Sequence, residues 1–470
     1  MKRYLSIFVT ALVLLAAFSS CNKPVPDPDP IVDPGTDPGT DPGTDPGTDP
    51  GTDPGTDPGT DPDPGSDPEP VGTVKPILVW VDADANFKRL ATKEGVIEML
   101  DKMVAAGVNT IVLDVKPCSG YSMYDSEILD KLEEYNGCRP ERDYDYCQNF
   151  IDECHARDMK ILISNTIMAW GYSSSQKGRI FDDPELGQYA CMEWLPTGLK
   201  PMKEDSNISV CFVNPASDYV HEFVLSVIEE QVKKYDVDGF VMDYCRYNDF
   251  QTDFSELSRQ KFEEWAGVTV ENFPEDICTY SSTAKDASVV PGKYYKQWIE
   301  WRSTLIHDYV RDIRDVVKKY RPEASVQLWA ASWWESRYTV GQNWASPSKN
   351  YTKSYAWSTA DYYKTGFADL LDVFQLGAYL NKVTPVTDGG TIAYAMNQGS
   401  YLLNKDCQMY TTFSCSNAKF PMKEAVQYGL ENSDGIMIFD LCYVVGNNFW
   451  NKLKSGVEAA KNSGGAYIKE

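Results

Sequence analysis

A chain of 470 residues with 44 basic and 69 acidic side chains carries a net charge of −25, and 42% of it is hydrophobic. That length and apolar content permit a large buried core, while the acidic excess, which extends into the globular part, excludes nucleic acid as a natural partner. Twelve cysteines without a CxxC pair, and only three histidines (His155, His221 and His307), provide no zinc set of ordinary spacing and read as scattered buried thiols.

The chain opens on Lys2 and Arg3, an apolar run from Tyr4 to Phe18, and the small residues Ser19 and Ser20 before Cys21. Residues 1–20 have the pattern of an export signal, and the apolar run is too short for a membrane span. A Cys directly after small residues resembles the bacterial lipobox, which implies cleavage before Cys21 and a lipid on its sulfur. The expected location is then the cell envelope, at the periplasmic or external face of the outer membrane, with the lipid as the only membrane contact. Residues 21–74 follow as a tether built on seven DPGT units from Asp33 to Thr60. Pro removes donors, Gly removes packing and the spaced Asp residues repel, so an extended, disordered acidic spacer is expected.

Residues 75–470 alternate short apolar runs with amphipathic segments. The runs predict eight strands: Ile77–Asp82, Thr110–Val115, Lys160–Asn165, Gly239–Asp243, Ser325–Ala331, Asp372–Leu376, Cys407–Thr412 and Gly435–Asp440. Helices are expected between them, among them Glu94–Ala106, Ser217–Tyr235 and Tyr295–Tyr320, with Phe449–Lys461 closing the chain. The segments before strands are short, whereas residues 166–215, 248–294 and 334–365 after strands are long. This is the asymmetry of an α/β (β/α)8 barrel, whose active face is built by the loops after the strands.

The strand ends carry a ring of carboxylates and amides: Asp82, Asp114, Asn165, Asp243, Gln375 and Asp440, with Glu335 just past the fifth strand. Such groups either cap the next helix or serve hydroxyl binding and acid–base work at the rim. Trp170, Tyr172, Trp333, Trp334, Trp344, Tyr379 and Tyr443 follow strand ends as well, and sugar rings stack on such faces. None of the three histidines follows a strand, which leaves a Ser-His-Asp triad without a base, and no glycine-rich nucleotide motif follows one either. Carboxylates remain as the reactive groups, and no cofactor is expected.

The segments NPASDYVHEFVLSVIEEQVKKYDVDGFVMDYCRY at 214–247, ANFKRLATKEGVIEMLDKMVAAGVNTIVLDVKP at 85–117, WIEWRSTLIHDYVRDIRDVVKKYRPEASVQLWA and ADLLDVFQLGAY together resemble the glycosyl hydrolase-like 10 family. The resemblance implies a (β/α)8 barrel related to amylase-type glycosidases and hydrolysis of a carbohydrate. On it, Asp243 is the nucleophile or principal carboxylate and Glu335 the acid/base. Tyr244 and Arg246 orient Asp243, and Asp114, Lys116, Asn165 and Asp440 contact hydroxyls. The expected activity is glycoside hydrolysis of a polysaccharide or oligosaccharide by a carboxylate pair. The alternative is a non-catalytic glycan-binding lipoprotein that uses the same aromatic face.

Overall fold

In the computed structural model, which describes residues 72–332 and 334–468, all eight predicted strands form. They are β1 (Ile77–Val81), β2 (Thr110–Lys116), β3 (Lys160–Thr166), β4 (Gly239–Asp243), β5 (Ser325–Ala331), β6 (Val373–Gly377), β7 (Gln408–Ser414) and β8 (Gly435–Phe439). Each pairs in parallel with its neighbours in sequence, and β8 pairs with β1 to close the barrel. The expected signal segment, Cys21, nearly all of the tether and Trp333 lie outside the described residues. The globular part begins slightly before residue 75: Val74 bridges Tyr467, and the Thr73 carbonyl accepts the Ile468 N–H at 2.9 Å.

Strand side chains alternate between two cores, as the two-residue period requires. Leu78, Trp80, Val112, Leu162, Val241, Val373, Tyr410 and Met437 fill the barrel interior. Ile77, Val79, Ile111, Leu113, Ile161, Ile163, Phe240 and Met242 face outward into the larger core under the helices. Because both faces are covered, the strands read as continuous apolar runs.

The surrounding helices start and stop where local chemistry dictates. The helix α1 (Lys93–Ala105) is capped by the Thr92 hydroxyl, and Gly107 follows it with φ of 88°. The helix α2 (Tyr146–His155) begins at Asp145, and α3 (Asp218–Lys234) at Ser217. The long helix α4 (Tyr295–Tyr320) ends just before Pro322. The helices α5 (Ile392–Leu403), α6 (Met422–Asn432) and α7 (Trp450–Asn462) complete the ring.

The long segments after β3 and β4 are structured. The first carries a hairpin, Met192–Leu195 with Gly198–Pro201. The second carries the helix Glu256–Ala266, and its Phe254, Phe262 and Ile277 pack with Trp298 and Trp301 of α4 as a separate small core. Among the described residues no helix is long and apolar enough to cross a membrane. All eleven described cysteines are free, most of them buried.

Candidate active site

The same alternation that fills the barrel brings polar residues to its mouth. Leu78 and Trp80 of β1 are followed by Asp82, Val112 of β2 by Asp114 and Lys116, and Val241 of β4 by Asp243. Asp82 caps the short helix Ala83–Asn86, its Oδ1 accepting the Ala85 N–H at 2.7 Å. Two residues on, Asp84 Oδ2 accepts from the Tyr172 hydroxyl, while Asp84 Oδ1 is buried without a hydrogen-bond partner. Asp114 Oδ1 accepts from the Ser164 hydroxyl. Asp440 caps the helix Leu441–Gly446, and its Oδ2 accepts from Asn86 Nδ2 at 2.9 Å. Asp243 Oδ1 accepts the N–H of Tyr244 at 2.8 Å.

Withdrawal from water disfavours the charged form of each carboxyl, and like charges add to it. Burial and then repulsion from Asp82 lift Asp84 and Asp440 to about 7. The same two causes lead for Asp114, which stands well above the usual carboxylate range. Burial raises Asp82 against the pull of the Ala85 N–H. Asp243 is pushed to about 7 by burial, with the Tyr244 N–H and the Arg246 guanidinium pulling the other way. Near neutral pH the mouth therefore holds protonated and ionised carboxyls together, and they titrate as a set.

Two cations border this set. Arg246 lies with its guanidinium 4.8 Å from the Tyr244 ring centre and donates to the carbonyls of Tyr247 at 2.9 Å and Asn248 at 3.0 Å. Tyr244 adopts φ of 48°, a left-handed conformation that turns the chain sharply after Asp243. Both residues act on Asp243, Tyr244 through its N–H and Arg246 through its charge. Lys116 departs from the expectation: its ammonium is fully committed beneath the mouth instead of meeting hydroxyls. It donates to the carbonyls of Thr166, at 2.5 Å, and Ala169, and lies 3.8 Å from the Trp170 ring centre. Burial lowers it to about 7, while Cys118, Asp114 and Asp243 pull it back up.

Other expectations are corrected by the strand period and by burial. Asn165 shares the outward parity of Ile161 and Ile163. Its amide exchanges hydrogen bonds with Gln231 of α3, at 2.9 and 3.2 Å, away from the mouth. Trp170 is 1% exposed, with Nε1 bonded to the Ile167 carbonyl at 2.9 Å, so its ring supports Lys116 and offers no stacking face. Gln375 is fully buried inside the barrel and donates to Gln327 Oε1 at 2.7 Å, below the rim. Asp440 and Asp114 are themselves buried and bonded to protein groups, so they act on the mouth as charge and support rather than by touching hydroxyls. Glu335 stands exposed four residues past β5; its charge acts on Tyr355, whereas the charges acting on Asp243 are those of Arg246, Asp82 and Lys116. Trp334 is half-buried and packs edge-on to Tyr394 with ring centres 5.4 Å apart.

The aromatic surface that does line the mouth is built by Trp329, Tyr379 and Phe439. Tyr379 lies 5.3 Å from Trp329 and 5.8 Å from Phe439, stacked on the latter, and the charges of Asp243 and Asp440 both act on its hydroxyl. Trp329 is half-buried, with Nε1 donating to Thr412 Oγ1 at 3.1 Å. Gly377 makes room for it, since a Cβ there would stand 2.8 Å from the indole. Trp329 and Asp84 were not singled out from the sequence. The signal for Trp329 was its inward parity on β5, two residues beyond Gln327. For Asp84 it was the repeat of Asp at a two-residue interval in VDAD.

Residues 77–428 match the glycosyl hydrolase-like 10 family. An S-layer-related protein of Niallia circulans is 30% identical over 396 residues, covering 79% of this chain and 24% of that protein. Glycosyl hydrolase DigH of Escherichia coli O6:H1 is 22% identical over 252 residues, covering 52% of this chain and 49% of that protein. The chain thus spans about a quarter and about half of the lengths of these two curated relatives. Among solved structures, the PgaB (BpsB) glycoside hydrolase domain from Bordetella bronchiseptica is similar with a TM-score of 0.56 at 11% identity, over 85% of this chain and 100% of that one. Alpha-L-fucosidase isoenzyme 2 from Paenibacillus thiaminolyticus is similar with a TM-score of 0.54 at 13% identity, over 83% and 50%. At these identities the likeness to the solved structures is one of fold.

Proposed function

Because the chain belongs to the glycosyl hydrolase-like 10 family, we propose that it hydrolyses a glycosidic bond of a polysaccharide or oligosaccharide, with Asp243 as the principal carboxylate. One observation carries this reading. Asp243 ends β4 in a mouth where several carboxyls are held near 7, so acid and carboxylate forms coexist at neutral pH. Glycosidases need that division of labour between two carboxyl groups. Arg246 and the Tyr244 N–H favour the ionised form of Asp243, which suits it to attack the anomeric carbon or to activate water there. The Trp329–Tyr379–Phe439 surface supplies apolar faces for sugar rings.

The test is a glycan panel incubated with the full chain and with its Asp243→Asn variant, scored by new reducing ends. Release by the wild type and none by the variant supports the reading; release by both sinks it. The exposure of Glu335 motivates a second reading, glycan binding without cleavage. Retention of a panel member with no reducing ends released would favour it.

We further propose that a lipid on Cys21 and the tether of residues 21–74 hold the barrel at the cell envelope. Incorporation of labelled palmitate that is lost in Cys21→Ala would support this, and equal labelling of both chains would overturn it.

A further inference from the structure

We infer that Arg302 and Gln342 are positioning residues: together they clamp the segment after β4 so that Arg246 addresses Asp243. The inference rests on the reading that Asp243 acts on a glycosidic bond, and it adds the residues that hold that carboxylate's cation in place.

The segment alternates. Asp243, Tyr244, Arg246 and Asn248 are half-buried, whereas Cys245 and Tyr247 are buried. The buried members are the ones held from behind. Gln342 Nε2 donates to the Cys245 carbonyl at 3.2 Å, and the Tyr247 N–H donates to the Val340 carbonyl at 3.0 Å. The Arg302 guanidinium, on α4, lies 4.2 Å from the Tyr247 ring centre. Its Nη2 donates to the carbonyls of Asp249 at 2.6 Å and Thr339 at 3.1 Å. One side chain of α4 thus ties the segment after β4 to the segment after β5. Gly341 lets the two come together: it has φ of 70°, and a Cβ there would stand 2.9 Å from the Tyr247 ring.

The clamp reaches Asp243 through Arg246. Arg246 Nη1 donates to the carbonyls of Tyr247 and Asn248, which lie between the points held by Gln342 and Arg302. The guanidinium therefore takes its direction from backbone that those two residues fix. Its charge leads among the cations that act on Asp243, ahead of Lys116. The charges acting on Arg302 are those of Tyr247, Asp249, Cys191 and Tyr295, whereas those acting on Asp243 are Arg246, Asp82 and Lys116, so the route between Arg302 and Asp243 runs through the segment. The Asp249 carboxyl feels both guanidiniums.

Arg302 and Gln342 are both buried. Burying a guanidinium is costly, and an apolar side chain of similar volume would fill the same space without that cost. What the guanidinium adds is its grip on two carbonyls from neighbouring segments.

The pH profile of kcat/KM tests this, with the full chain and an oligosaccharide that the wild type cleaves. Without the clamp Asp243 loses the pull of Arg246 towards its ionised form. Arg302→Met and Gln342→Met should therefore each move the acid limb to higher pH, and a limb moved by about one unit lowers kcat/KM about tenfold at any pH below it. Simple destabilisation would scale the whole profile and leave the limb in place. Arg246→Met should give the full shift, and Arg246→Met with Arg302→Met should move the limb no further than Arg246→Met alone. An unmoved limb in either folded single variant, or shifts that add in the double variant, overturns the clamp and leaves the Asp243 reading standing. Where Arg302→Met does not fold, the limb of Gln342→Met decides by the same criterion. A wild type that cleaves nothing on the panel, or an Asp243→Asn variant that cleaves at the wild-type rate, overturns the Asp243 reading and the clamp together.

Discussion

Lys116 and Trp170 form one unit: the ammonium sits 3.8 Å from the indole ring centre while it donates to the carbonyls of Thr166 and Ala169. The unit ties β2 to the turn after β3. That turn in turn meets the end of β4, because the Ile167 N–H donates to the Asp243 carbonyl at 2.7 Å and the Met168 N–H to the Tyr244 carbonyl at 3.2 Å. A cation that looks like a ligand contact in the sequence is thus a brace for the backbone of Asp243. Lys116→Met keeps the stem and strands buried carbonyls, each worth about 1–3 kcal/mol. The denaturant midpoint should fall measurably, and an unchanged midpoint would show that the brace carries nothing.

The shifted groups also set how stability follows pH. Asp84, Asp243 and Asp440 have folded values near 7, above the ordinary carboxylate value of 3.8. Between those limits the folded chain binds more protons than the unfolded chain, so their contribution is full below about pH 4 and is lost as pH rises to about 7. Lys116, near 7 instead of 10.5, has the opposite slope above pH 7, since there the unfolded chain binds the extra proton. Thermal unfolding should show the wild type losing Tm relative to Asp84→Asn between pH 5 and 7. It should gain Tm relative to Lys116→Met between pH 7.5 and 9.5. Parallel curves would contradict both assignments.

Asn165 and Gln231 supply a control for the face of β3. Asn165→Ala leaves the Gln231 amide buried and underbonded, at a cost of about 1–3 kcal/mol in stability, with glycan turnover unaffected at temperatures where the variant is folded. A selective loss of turnover would mean that Asn165 reaches the mouth after all.

The two tryptophans should separate cleanly. Trp329→Ala removes a half-buried face beside Tyr379 and should weaken glycan binding by about 1 kcal/mol or somewhat more, read by calorimetry. Trp170→Phe, beneath the mouth, should change stability and leave the affinity alone. The reverse pattern would move the stacking surface elsewhere.

The barrel was legible because its signal is redundant. Eight buried parallel strands each write a continuous apolar run, and short segments before strands alternate with long ones after them. The rim was legible as a set of residues but not as a set of roles. Parity along KILISNT already separates Asn165 from Ser164, and parity along SVQLWAA already turns Trp329 inward. Lys116, Trp170 and Gln375 could not be placed this way, because their partners are backbone carbonyls and side chains brought close only by barrel closure. Glu335 carried no periodic signal, since it lies beyond the strand where alternation ends. Asp84 was not singled out in VDADANF, because its partner Tyr172 comes from the segment after β3 and meets it only in the folded chain.

The most direct measurement is binding and cleavage of one oligosaccharide by matched samples of the wild type and Asp243→Asn. The account predicts that both bind it with similar Kd, that the wild type releases new reducing ends, and that the variant's kcat falls by three orders of magnitude or more, on the order of 4 kcal/mol or above in transition-state stabilisation. A wild type that binds the glycan without cleaving it, or a variant that cleaves it at the wild-type rate, would contradict the central claim.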